Sequence, residues 1–169
     1  MIQIKNAAEL QKMRKACAIS AAALKAGGEA IEPGITTAEI DKIIYDFIVR
    51  HGARPNFLHL YGFPATACIS VNDTVIHGIP NKQQQIRPGD IVSIDTGCKI
   101  DGFNGDNACT YACGKIDLEA QRLLDVTKES LHRGIEMACG GNRVGDIGHA
   151  VQSYVEENGF SVVRTFVGH

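Results

Sequence analysis

Ile91-Val92-Ser93-Ile94-Asp95-Thr96-Gly97-Cys98-Lys99-Ile100-Asp101-Gly102-Phe103-Asn104-Gly105-Asp106-Asn107-Ala108-Cys109-Thr110-Tyr111 is the most informative stretch of the chain. Two β-prone runs flank Asp101-Gly102, and an Asp-Gly pair is the two-residue loop that a twisted hairpin favours. If Ile100 and Phe103 close the hairpin, Asp95 faces position 108 and position 97 faces Asp106. The two carboxylates are then diagonal neighbours on one face, about 7–8 Å apart between backbone positions. Like charges so placed repel unless a cation sits between them, and hard divalent ions prefer carboxylate oxygens. Two solvated aspartates on an exposed hairpin face satisfy the same spacing.

Around this hairpin, composition sets the limits. The 169 residues suit one domain able to bury roughly 70% of its unfolded surface, and 44% apolar with 21% charged residues is ordinary for a globular protein. A net charge of -2 gives no basic field to recruit nucleic acid or anionic membrane. The six cysteines (17, 68, 98, 109, 113 and 139) have no paired CxxC spacing, which points to neither a zinc cage nor a disulfide framework. A reducing, cytoplasmic compartment is the simplest inference. The apolar run Ala16 to Leu24 behind Arg14-Lys15 imitates a signal peptide, but it is short, alanine-rich and preceded by Glu9. It is also too short to span a membrane.

Helices precede and follow the β region. Asn6 with Glu9 marks a helix start, with Leu10, Met13, Cys17 and Leu24 at helical spacing until Pro33-Gly34. Thr36 with Glu39 forms a capping-box signature for a second helix. Its stripe is Ile40, Ile43, Ile44, Phe47 and Ile48, and it ends at Gly52. Strands are expected at Ala67 to Val71, Thr74 to Ile79, Ile91 to Ile100 and Phe103 to Ala112, with a turn at Pro88-Gly89. Helices resume at Asp117 and near Val144, and Phe160 to Val167 reads as a strand.

The two helical pairs match at an offset of 107 residues: Gly27 with Gly134, Glu29 with Glu136, Gly34 with Gly141, Ile40 with Ile147 and Gly52 with Gly159. Glycine is frequent here, so coincidence is the competing reading. A true duplication has a specific consequence. About 65 residues of mostly β structure follow Gly52 before the next helix, whereas ten follow Gly159. Repeats bury their cores against one another, so the second half-sheet is expected to be truncated and the exposed apolar face to promote self-association.

His77, in Val75-Ile76-His77-Gly78-Ile79-Pro80, is expected at a strand end. Singly it reads as a surface histidine; beside paired aspartates, a neutral imidazole can donate to or accept from a substrate amide. His169 reads alone as a frayed terminus, and His51, His59, His132 and His149 as solvated residues of helix ends or loops.

Together the runs Cys68 to Asn72, Val75 to Pro80, Arg87 to Asp95, Asp101 to Asp106 and Val163 to His169 resemble, in order and interval, the signature segments of the type I methionine aminopeptidases. The resemblance implies an α+β pita-bread (creatinase/aminopeptidase-like) fold with pseudo-twofold architecture. Residues 1–169 would then be a single catalytic domain incomplete at its C-terminal end. It implies hydrolytic removal of the N-terminal methionine from nascent proteins by two divalent metal ions, whether cobalt, manganese, iron or zinc. By this resemblance Asp95 and Asp106 bind metal, Asp106 bridging both ions, and His169 binds the other ion. His77 orients the scissile amide, and Phe63 and Cys68 line the methionine pocket. The family's second histidine and two glutamates match nothing before His169, so the 169 residues alone are expected to have little activity. The partner implied is a nascent polypeptide with methionine first, with ribosome association and a monomeric full-length form; no membrane or nucleic-acid partner is expected. A non-catalytic module on the same scaffold and a proline-directed aminopeptidase are the alternatives. Asp95, Asp106 and His169 together argue against the first, and Phe63 and Cys68 against the second.

Overall fold

The computed structural model describes residues 3–165, so His169 lies outside the described residues. The chain divides into two compact units, Met1–Ile116 and Asp117–His169. In the first, helices α1 (Ala7–Glu29) and α2 (Thr37–Arg50) precede strands β1 (Arg54–Pro55), β2 (Ala67–Val71), β3 (Ile91–Ile100) and β4 (Phe103–Ala112). In the second stand α3 (Leu118–Met137) and α4 (Val144–Glu157).

The β3–β4 hairpin has the register that its turn dictates. Asp95 faces Ala108 and Gly97 faces Asp106. Asp101 (φ 53°) and Gly102 (φ 86°) both adopt positive φ, as a type I′ loop requires. All pairings are antiparallel: β4 lies along one edge of β3, while β1 and β2 share the other. Val92, Ile94, Thr96 and Cys98 are buried on one face of β3. Asp95 and Gly97 point to the other.

Both helix starts expected from capping boxes are present, at Asn6 with Glu9 and Thr36 with Glu39. The packed faces differ. On α2, Ile40, Ile44 and Ile48 are fully buried, each stabilising by about 1.5–3 kcal/mol. On α1 the expected stripe is fully buried only at Leu24: Met13 is half-buried, Leu10 and Cys17 are exposed, and Ala16, Ser20, Ala23, Gly27 and Gly28 are buried instead. The reason is proximity. A Cβ on Gly105 of β4 would lie 2.4 Å from the Ala16 carbonyl oxygen, and one on Gly28 would lie 2.1 Å from the Tyr111 ring. Only small residues allow backbone to approach so closely, and Ser20 Oγ uses that approach to donate to Thr96 O at 3.1 Å.

Two expected strands are not formed among the described residues. Thr74 to Ile79 is irregular, because Asn72 (φ 54°) and His77 (φ 56°) turn the backbone left-handed. The segment instead docks on the outer edge of β2, where Ile69 N–H donates to Gly78 O at 2.9 Å and Gly78 N–H to Ser70 Oγ at 3.1 Å. Residues 160–165 are also irregular, and no ladder partner for them occurs among the described residues. His132 and His149 are exposed as expected, but they stand within α3 and α4, not at helix ends.

The repeat is visible within each unit. Shifting α2 by 107 positions gives the bounds of α4. A Cβ on Gly27 would meet Ile44 at 2.7 Å and Ile40 at 3.5 Å, and one on Gly134 would meet Val151 at 2.9 Å and Ile147 at 3.5 Å. Each residue pair is separated by the same offset. Gly34 and Gly141 share positive φ (97° and 100°), as do Gly52 and Gly159 (72° and 80°).

Candidate active site

Beneath the polar face of β3 the chain forms a cavity of about 460 Å³. Its lining includes Phe57, Leu60, Tyr61, Phe63, Cys68, His77, Ile79 and Asp95. Four residues singled out from sequence, Phe63, Cys68, His77 and Asp95, therefore meet at one place. They arrive by different routes. Cys68 and Asp95 are register partners on β2 and β3, Phe63 ends the 3-10 turn Leu60–Gly62, and His77 stands on the loop docked against β2. Local sequence could not expose Phe57, Leu60, Tyr61 or Ile79 as lining residues, because only the packing of the 57–63 turn and the 74–79 loop assembles them.

His77 does not end a strand, contrary to the sequence expectation. Its left-handed backbone, φ 56°, is unusual for a non-glycine residue and turns the exposed side chain toward the cavity. Gly78 makes this possible: its Cβ would lie 2.1 Å from Ile69 O.

Asp95 and Asp106 share the hairpin face opposite the helices. Asp106 is exposed and Asp95 half-buried, with Asp95 Oδ1 closed off from solvent. Between them stands Gly97, where a Cβ would lie 3.2 Å from Asn56 Nδ2 and 3.3 Å from Phe57 Cε1. Glycine thus lets residues 56 and 57 reach the hairpin, and Asn56 N–H donates to Gly97 O at 2.9 Å. The charges converge on Cys68. Burial, then Asp95, Asp106 and Asp41, push its thiol up to about 11, so it is neutral at pH 7. Asp41 ties α2 to the start of β2 by accepting from Thr66 N–H (2.9 Å) and Ala67 N–H (2.8 Å). Burial raises its pKa, and those two bonds oppose the rise.

Two carboxylates facing one way, one oxygen withdrawn from water, fit the donor preference of a hard divalent cation. Among the described residues no group of three or more His, Cys, Asp or Glu side chains converges on one point. Asp95 and Asp106 therefore fit as part of a donor set.

The Metallopeptidase family M24 model matches residues 11–169. The chain belongs to this family, among the methionine aminopeptidases. The methionine aminopeptidase of Clostridium perfringens is 52% identical over 169 residues, covering 100% of this chain and 68% of that protein. Methionine aminopeptidase 1 of Bacillus subtilis is 45% identical over the same length, with the same coverage of each chain. The crystal structure of methionine aminopeptidase from Rickettsia prowazekii superposes with a TM-score of 0.96 at 38% identity, again over 100% of this chain and 68% of that one. Fold and family agree with the sequence expectation: this M24 chain has the pita-bread fold and is a metalloaminopeptidase. No described helix of the metallopeptidase is long and apolar enough to cross a membrane.

Proposed function

We propose that residues 1–169 belong to a single catalytic domain of the M24 type that removes the amino-terminal methionine from nascent polypeptides in the cytoplasm, near the ribosome. The observation that carries this reading is the single cavity in which apolar walls, His77 and Asp95 meet. Its volume falls within the usual range for small-molecule sites, about 300–1,000 Å³. Phe57, Leu60, Phe63 and Ile79 offer an apolar, irregular surface suited to an unbranched thioether. Cys68, neutral and buried, adds a small apolar wall. His77, at the same cavity, holds the scissile amide by donating to its carbonyl or accepting from its N–H. Asp95 and Asp106, with His169, would hold two divalent ions, manganese, cobalt, iron or zinc, and the negative charge of the two carboxylates favours such ions. When bound, the ions polarise the carbonyl and lower the pKa of a water. Six free cysteines agree with a reducing compartment.

Calorimetric titration with manganese or cobalt tests the metal assignment. Saturable heat is expected for the unaltered chain and is lost in Asp95→Asn and Asp106→Asn; a heat undiminished in both variants would overturn it. His77→Ala should leave the metal heat unchanged while weakening binding of the tripeptide Met-Ala-Ser.

A further inference from the structure

Tyr61 is 100% exposed, yet it lines the cavity. Its backbone is left-handed (φ 49°), as are His59 (φ 67°) and Gly62 (φ 84°). A β-carbon makes that conformation unfavourable for tyrosine and histidine. The turn is nonetheless closed firmly: Leu60 N–H donates to Phe57 O at 2.9 Å, Phe63 N–H to Leu60 O at 2.9 Å and His59 N–H to Phe63 O at 2.8 Å. Strain of this kind persists where surrounding structure enforces it, and it concentrates at binding sites. A fully exposed ring contributes no packing to offset it. What the turn achieves is to place a third aromatic residue at a cavity that Phe57 and Phe63 already line.

We propose that Tyr61 is a further substrate-contacting residue. Its ring closes the cavity mouth over the methionine thioether, and with Phe57 and Phe63 it distinguishes sulfur from a methylene of the same shape. The proposal rests on the methionine-binding reading given above. A thioether sulfur gains from an aromatic edge in a way a methylene does not, which corresponds to about 2- to 10-fold in affinity.

The test compares free L-methionine with L-norleucine, neither of which can be cleaved, by calorimetric titration of the unaltered chain and three variants. The unaltered chain should bind methionine about 2- to 10-fold more tightly than norleucine. Tyr61→Ala should weaken methionine binding several-fold and bring the ratio close to one, while Tyr61→Phe keeps both. Nitration of Tyr61 by tetranitromethane should be slowed by methionine, a readout that a purely structural role would not move. Because the ring is fully exposed, Tyr61→Ala should melt at the temperature of the unaltered chain. Phe63→Ala separates the two readings. If it weakens methionine binding while Tyr61→Ala does not, the Tyr61 proposal is overturned and the cavity assignment stands. If the unaltered chain binds no methionine, both fall together.

Discussion

The helical pairs α1–α2 and α3–α4 have the same spacing, the same glycine contact and the same positive-φ glycines, but they are buried to different extents. In the first unit, Ile40, Ile44 and Ile48 join a cluster with Ile69, Ile86, Val92 and Ile94 from the sheet region. In the second, Val126 and Val155 are the buried apolar side chains among the described residues, while Leu118 is 89% and Val144 86% exposed. The helical hairpin keeps its geometry in both units through the same close glycine contact, whereas the large core of the first is completed by its sheet. The position of Asp41 makes the point locally. Its counterpart at the same offset is Gly148, where a Cβ would meet nothing within 4 Å.

Substitution at equivalent positions turns the comparison into measurements. Ile44→Ala should cost about 2–5 kcal/mol in urea denaturation, and Val151→Ala, at a half-buried position, less than half as much. Equal losses would mean that the second pair is as fully packed as the first. Asp41→Ala leaves two N–H groups of a largely buried segment without their acceptor and should cost about 2 kcal/mol. It should also change the pH profile. Burial raises the Asp41 pKa above 3.8, so the folded state holds that proton more tightly than the unfolded state does. Stability then falls as pH rises through the window just above 3.8, and the difference curve between the unaltered chain and Asp41→Ala should show that slope. Smallest, and of opposite sign, Gly148→Ala in the open interior of α4 should stabilise by about 0.5–1 kcal/mol, read as a higher melting temperature. A loss there would show that the second pair packs more tightly at this face than the first pair's geometry suggests.

What could be read from the residues follows the range of the forces involved. The hairpin register was legible because two consecutive positive-φ positions, Asp101 and Gly102, permit one loop, and the loop fixes every pair behind it. Helix starts were legible because Asn6–Glu9 and Thr36–Glu39 satisfy each other across three residues. Thr74 to Ile79 was misread because its β-branched content expresses a local preference, which docking against Ile69 and Ser70 overrides. The buried face of α1 was misread because apolar spacing says nothing about how near a sheet will come. At the candidate site, Asp95 was legible from the hairpin register and His77 from its place in a β-prone run before Gly78 and Pro80, Phe63 and Cys68 were found by resemblance, and the cavity joins all four. Tyr61 gave no signal, since an exposed tyrosine beside a glycine resembles any surface turn, and His169 falls outside the described residues.

Gly78 couples two properties that are usually separable. The bond from Ile69 to its carbonyl occupies a strand margin where another polypeptide could otherwise add itself by backbone pairing, and the same bond fixes the residue beside His77. A bulkier residue at 78, forced off the Ile69 carbonyl, would displace the imidazole and uncover an adhesive border in one event. Variants at this position should therefore lose Met-Ala-Ser binding and solubility together, never one alone.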